Sequence, residues 1–154
     1  MVYANKPVNY DILFHSFEDT SCPKNLGGVY CLFTMLNLLV IKSQDLTKSV
    51  AFYTLLGLKF IEEQHGKGPV HFAAQMDGGT VFEIYPANSA EKVTQNIRLG
   101  FVVEDLDKTL QSLIAAGFRI AQPAAQSRWG YRAVAIDPEG RKVELTALSA
   151  ENEQ

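Results

Sequence analysis

The second half of the chain repeats the first at an offset of sixty positions. Asp45-Leu46 is answered by Asp105-Leu106, Lys48 by Lys108, Val50 by Leu110, Gly57 by Gly117 and Leu58 by Phe118. With one inserted residue, Val81-Phe82-Glu83-Ile84 is answered by Lys142-Val143-Glu144-Leu145. A period of this length means two copies of one supersecondary unit, and such units commonly meet to form a site between them. Matched polar positions on the two copies are therefore the first candidates for chemistry.

Each copy reads as β-α-β-β-β. The first opens with a strand over 36–42, rich in leucine and β-branched residues. Asp45 caps a helix whose apolar face is Leu46, Val50 and Tyr53, with Phe52 and Leu56 beside it, and Gly57 ends it. Strands follow near 58–63, 70–76 and 80–85, the last two joined by the turn Asp77-Gly78-Gly79. In the second copy a strand covers 97–103 and Asp105 caps a helix with Leu106, Leu110, Leu113 and Ile114 on its apolar face. Gly117 ends that helix, and strands follow near 118–122, 131–136 and 141–147, with Asp137-Pro138-Glu139-Gly140 as a turn. The polar stretch 86–96 suits a linker. The fold class is thus α+β, with two tandem βαβββ modules at about 36–85 and 97–148. They are expected to form a cupped eight-stranded sheet with helices on the outer face.

At 154 residues the chain is one domain's worth, and 47% hydrophobic with 20% charged residues is a globular profile. A net charge of −3 implies no basic face, so neither nucleic acid nor an anionic membrane is an expected partner. The uncharged stretch Leu26–Ile41 is too short for a comfortable membrane span, and acidic residues precede it. Cys22 and Cys31 fit neither a redox pair nor a zinc knuckle, so a reduced, cytoplasmic setting is expected. Residues 1–34 lie outside the repeat and have no clean period. They are either an extension or a stretch upstream of a natural start at Met35. The second reading is favoured because the repeat begins just after Met35. The tail 149–154 is expected to fray.

Strand alternation sorts the site candidates. If Phe82 and Ile84 face the helix, then Val81, Glu83 and Tyr85 face the inner side. By the same rule Val143 and Leu145 pack outward, while Lys142, Glu144 and Thr146 point in. Leu38 and Val40 point in from the first strand, and Arg98, Gly100 and Val102 from the fifth. The inferred cavity holds Glu83, Glu144 and Arg98 among apolar walls.

The paired modules, the Phe52–Leu58 stretch F-Y-x-x-L-G-L and the ending D-P-E-G-x-x-V-E-L (Asp137 to Leu145) resemble the vicinal oxygen chelate superfamily. That superfamily includes glyoxalase I, extradiol dioxygenases, methylmalonyl-CoA epimerase, and the fosfomycin- and bleomycin-resistance proteins. The resemblance covers 36–148 and specifies the fold better than the reaction. It implies metal ligands at four positions, which fall here on Leu38, Glu83, Arg98 and Glu144. Leucine has no donor atom and arginine stays protonated, so only the two glutamates suit a metal. The resemblance therefore implies a metal-free member that binds a small organic molecule. No cofactor is expected, and a divalent metal is allowed but not favoured. Dioxygenase, epimerase and glyoxalase I activities are disfavoured. The alternative is a glyoxalase-related lyase or isomerase using Glu83 and Glu144 with a displaced ligand such as His71. Single-pair chains of this group commonly form homodimers, sometimes with modules exchanged.

Three further features stay open at this point. Arg98 either closes an internal salt-bridge cluster with both glutamates or receives a ligand's anionic group. His65 and His71 flank Gly-Lys-Gly-Pro-Val and are either parts of a simple loop or ligands and bases. Trp129, between Arg128 and Arg132, either stacks on a planar ligand or closes an end of the fold or a dimer contact.

Overall fold

The computed structural model describes residues 36–148. The extension, the start at Met35, both cysteines and the tail lie outside the described residues. The elements run β1 (Leu38–Ser43), α1 (Leu46–Thr54), β2 (Ile61–Glu63), β3 (His71–Gln75) and β4 (Val81–Pro86) in the first module. A single 3₁₀ turn, Ala90–Lys92, interrupts the linker. The second module runs β5 (Leu99–Val103), α2 (Leu106–Ala115), β6 (Arg119–Ser127), β7 (Gly130–Ile136) and β8 (Lys142–Ala147). The eight strands divide into two four-stranded mixed sheets of matching order, β1-β4-β3-β2 and β5-β8-β7-β6. In each the first and last strands of the module pair in parallel, which is why a crossover helix must join the first strand to the rest.

The repeat extends to the helix ends. The Asp45 carboxylate accepts from the Lys48 amide at 2.9 Å, and Asp105 accepts from the Lys108 amide at 2.9 Å. Gly57 and Gly117 both take positive φ, +103° and +81°, which lets the next amide turn back onto the helix. Leu58 then donates to the Tyr53 carbonyl and Phe118 to that of Leu113. Replacing Asp105 with alanine is expected to destabilise the fold by about 1 kcal/mol. Urea unfolding would measure it, and an unchanged midpoint would mean the cap contributes nothing.

Alternation held on the strands. Ile41, Phe82, Ile84, Val143 and Leu145 are fully buried, and each helix covers the sheet face opposite Glu83 or Glu144. One core serves both modules. Tyr53 of α1 lies 5.0 Å from Phe82 and 5.9 Å from Phe101, ring centre to ring centre, and Phe52 lies 5.1 Å from Phe118. Ile114 departs from the expected helix face and is exposed. The buried arc is centred on Leu106, Leu110 and Leu113, and Ile114 sits a further 100° round the helix. The second strand of the second module, β6, is also longer than expected. It continues to Ser127, with irregular register around Gln122, so 127–130 is a hairpin tip rather than a long loop.

The Asp-Pro-Glu-Gly turn does more than reverse the chain. Asp137, itself buried, accepts from the Tyr53 hydroxyl at 2.8 Å, from Arg141 Nε, and from the Glu139 and Arg141 amides. Burial, then the negative charge of Asp137, pushes the Tyr53 hydroxyl well above the usual phenol range, so it stays a donor. Arg141 also donates to the Lys42 and Thr94 carbonyls. Glu139 accepts from the Ser43 hydroxyl and the Gln44 amide. This turn is thus a polar clamp between the end of the second module and the start of the first.

Candidate functional site

Register places the polar residues of the first module on one face. Val40 pairs with Glu83, Ala73 with Glu83, and Glu63 with His71. Paired residues point to the same side of a sheet. Glu83, Tyr85, His71 and Glu63 therefore all stand on the open face, away from α1. His71 does share the face of Glu83, which the sequence left undecided. Its ring stacks on Tyr85, with centroids 4.1 Å apart and planes 12° from parallel. Desolvation, then the charges of Glu83 and Glu63, pushes the Tyr85 hydroxyl up. His71 Nε2 lies 3.9 Å from a Glu63 oxygen and 4.0 Å from a Glu83 oxygen. His65, from the loop after β2, comes within 3.4 Å of the same Glu63 oxygen.

The open face of the second module carries Arg98, Arg132 and Glu144. Glu144 Oε2 accepts from Arg98 at 2.7 Å and lies 3.0 Å from Arg132 Nη1. Trp129 stands at the β6–β7 hairpin tip, 60% exposed. The Arg128 guanidinium lies 3.8 Å from the centre of its ring and that of Arg132 5.0 Å away. A hollow of about 260 Å³ adjoins it, lined by Gln126, Trp129, Gly130, Tyr131 and Thr146 among others. Leu38 and Val40 are exposed on the first open face and Val102 on the second.

Within one chain Arg98 does not bridge the two glutamates: among the described residues it pairs with Glu144 alone, and the second cation on Glu144 is Arg132. Glu83 belongs to the other sheet, where its carboxylate lies 4.0 Å from His71 Nε2. The reason is topological. Within this chain the modules share their helix-side core, so the faces bearing Glu83 and Glu144 are separate. Of the four positions that the resemblance carries over, Leu38 has no donor atom and Arg98 donates to Glu144. Sequence reasoning passed over Glu63. Its signal was the hairpin itself, which is centred on Lys67 and sets Glu63 opposite His71.

The comparisons agree with this fold. A family model described as the glyoxalase/bleomycin resistance protein/dioxygenase superfamily matches residues 36–145, and the chain belongs to that superfamily. Solved structures with the same fold include the antibiotic-binding protein TnmS3 from Streptomyces sp. CB03234, at 20% identity and a TM-score of 0.62. The alignment covers 78% of this chain and 100% of that one. The oxidase ChaP-H2 shows 21% identity and a TM-score of 0.61 over 78% and 98% of the two chains. A glyoxylase/bleomycin resistance protein/dioxygenase domain from Frankia sp. EAN1pec shows 18% identity and a TM-score of 0.60 over 79% and 96%. No curated protein matches. Among the described residues no helix is long and apolar enough to cross a membrane.

Proposed function

We propose that this protein binds a small, planar, anionic organic molecule on the open face of its second module, at Trp129, Arg132 and Arg98. The observation that carries this reading is two guanidinium groups converging on one carboxylate beside a largely exposed indole. Arg98 is exposed, and exposed ion pairs stabilise a fold by only about 0–1 kcal/mol, so stability gives little reason for this arginine beside Arg132. The arginines exceed the carboxylate by one positive charge, and Arg128 adds another over the Trp129 ring. An anionic group can take a guanidinium by a two-pronged hydrogen bond while the conjugated body stacks on the indole. The antibiotic-binding relative is consistent with ligand binding on this scaffold.

The cavity is completed by a second copy of the chain. Open faces bearing Leu38, Val40 and Val102 are apolar for a finished surface, and sharing the helix-side core leaves no partner for them among the described residues. In the proposed homodimer the first module of one chain faces the second module of its partner.

Trp129 is the chain's one tryptophan, so its fluorescence reports directly on this site. Titration with anthraquinone-2-carboxylate and naphthalene-2-sulfonate is expected to quench it saturably. Arg132→Gln and Arg98→Gln are each expected to weaken binding about tenfold or more, as loss of a charge-assisted hydrogen bond does. Equal affinity for uncharged analogues, or no saturable quenching, would refute the reading.

A further inference from the structure

The geometry points to a divalent transition-metal site in the first module, held by Glu63, His65, His71 and Glu83. It is distinct from the ligand face of the second module and from the superfamily's usual positions, of which it uses only Glu83. One ligand atom from each of the four residues falls within 4.8 Å of all the others.

The second, independent observation is His71 itself. The residue is 1% exposed, and its Nε2 has no hydrogen-bond partner among the described residues. Separations of 3.9 and 4.0 Å to Glu63 and Glu83 are too long for hydrogen bonds. Buried polar atoms are rarely left this way, because the unmet desolvation is costly. A cation seated among the three groups would satisfy Nε2 and both carboxylates together.

The ring is also set up as a ligand. Nδ1 lies 3.2 Å from the Pro69 carbonyl, and that oxygen can only accept, so the ring proton belongs on Nδ1 and the lone pair on Nε2. Stacking on Tyr85 fixes the ring plane. Glu63 and Glu83 rise from β2 and β4 on either side of β3. His65 closes the fourth side from a tight turn in which Gly68 donates to the His65 carbonyl at 2.9 Å. A side chain on Gly68 would meet that carbonyl at 3.0 Å, so the turn that carries His65 calls for glycine there.

Two imidazoles and two carboxylates form a donor set suited to zinc, and also to cobalt, manganese or iron(II). Around tetrahedral zinc, bonds of about 2.0–2.2 Å put donor atoms roughly 3.3–3.5 Å apart. The widest pair must therefore close by up to about 1.5 Å. Rotation of the exposed His65 and the half-buried Glu63 side chains can supply that without moving the sheet.

The test is a Co²⁺ titration of the chelator-stripped full chain, followed by visible ligand-field absorption. Saturation at one Co²⁺ per chain is expected, with Zn²⁺ displacing it. His71→Gln and Glu83→Gln are each expected to weaken binding about 100-fold or more, since losing even an outer-shell partner costs 10–100-fold. His65→Ala changes only an exposed loop residue. It is expected to weaken cobalt binding about tenfold or more while the metal-free melting temperature stays the same, which separates ligation from folding. Absence of saturable absorption up to millimolar cobalt would overturn the site. So would a titration indifferent to His65→Ala and His71→Gln, or one abolished by Glu144→Gln, which would put the metal at the superfamily's positions.

Discussion

Asp137→Ala is expected to lower stability by about 3–5 kcal/mol, the range found when one partner of a buried ion pair is removed. For a folded unit of about a hundred residues that corresponds to a fall of roughly 12–40 °C in melting temperature. The loss has several parts. Arg141 would remain buried with its charge uncompensated, and its Nη2 already lacks a partner among the described residues. The Tyr53 hydroxyl would lose its acceptor inside the core. The Glu139 and Arg141 amides would lose theirs, so the turn that carries Glu139 to Ser43 and Gln44 would loosen. Asp137→Asn keeps the shape but not the charge and should fall between wild type and alanine. Tyr53→Phe removes one hydrogen bond while keeping the ring, so it should cost about 1 kcal/mol. Differential scanning calorimetry of the three variants would rank them. An Asp137→Ala melting temperature within a few degrees of wild type would show that the clamp does not hold the modules together.

The same clamp marks where reading the sequence stops. The repeat, the Asp caps and the glycine ends are local signals, and they were enough to place both modules and nearly every strand. Alternation along a strand is local too, which is why the faces of Phe82, Ile84, Val143 and Leu145 came out correctly. Asp-Pro-Glu-Gly is legible as a turn, but its partners Tyr53, Ser43 and Lys42 lie more than eighty residues away and nothing in the motif names them. That Arg98 meets Glu144 and not Glu83 within one chain was illegible for a related reason. Alternation tells which residues share a face of one sheet, whereas which faces meet depends on how the helix-side surfaces pack. The His71 cluster lies between these cases. Glu63 was recoverable from the hairpin's centre at Lys67, but the unpartnered Nε2 and the stacked Tyr85 appear only once β3 and β4 are side by side.

How the faces meet leads to the second large effect. If cavities form between chains, wild-type protein is expected to sediment at roughly twice the 17.1 kDa of the single chain, and Val102→Arg to sediment as the single chain. Val102 is 64% exposed and sits on the open face of β5, beside Thr146 in register. An arginine there is harmless to an isolated chain, since exposed substitutions usually shift stability by no more than about 0.5 kcal/mol. Set into an apolar interface, it must desolvate a charge with no partner. We expect dimerisation to weaken by about 100-fold or more, roughly 2.7 kcal/mol. Val40→Arg, on the facing module, should act alike. The double variant should add little once the dimer is gone, because both changes break one interface. Loss of the dimer should also abolish quenching of Trp129 by aromatic anions while leaving the one-per-chain cobalt titration intact, since all four donors of that site come from one module. A wild-type chain that sediments as a monomer at tens of micromolar would end the shared-cavity account. A Val102→Arg dimer of undiminished affinity would place the interface on some other face.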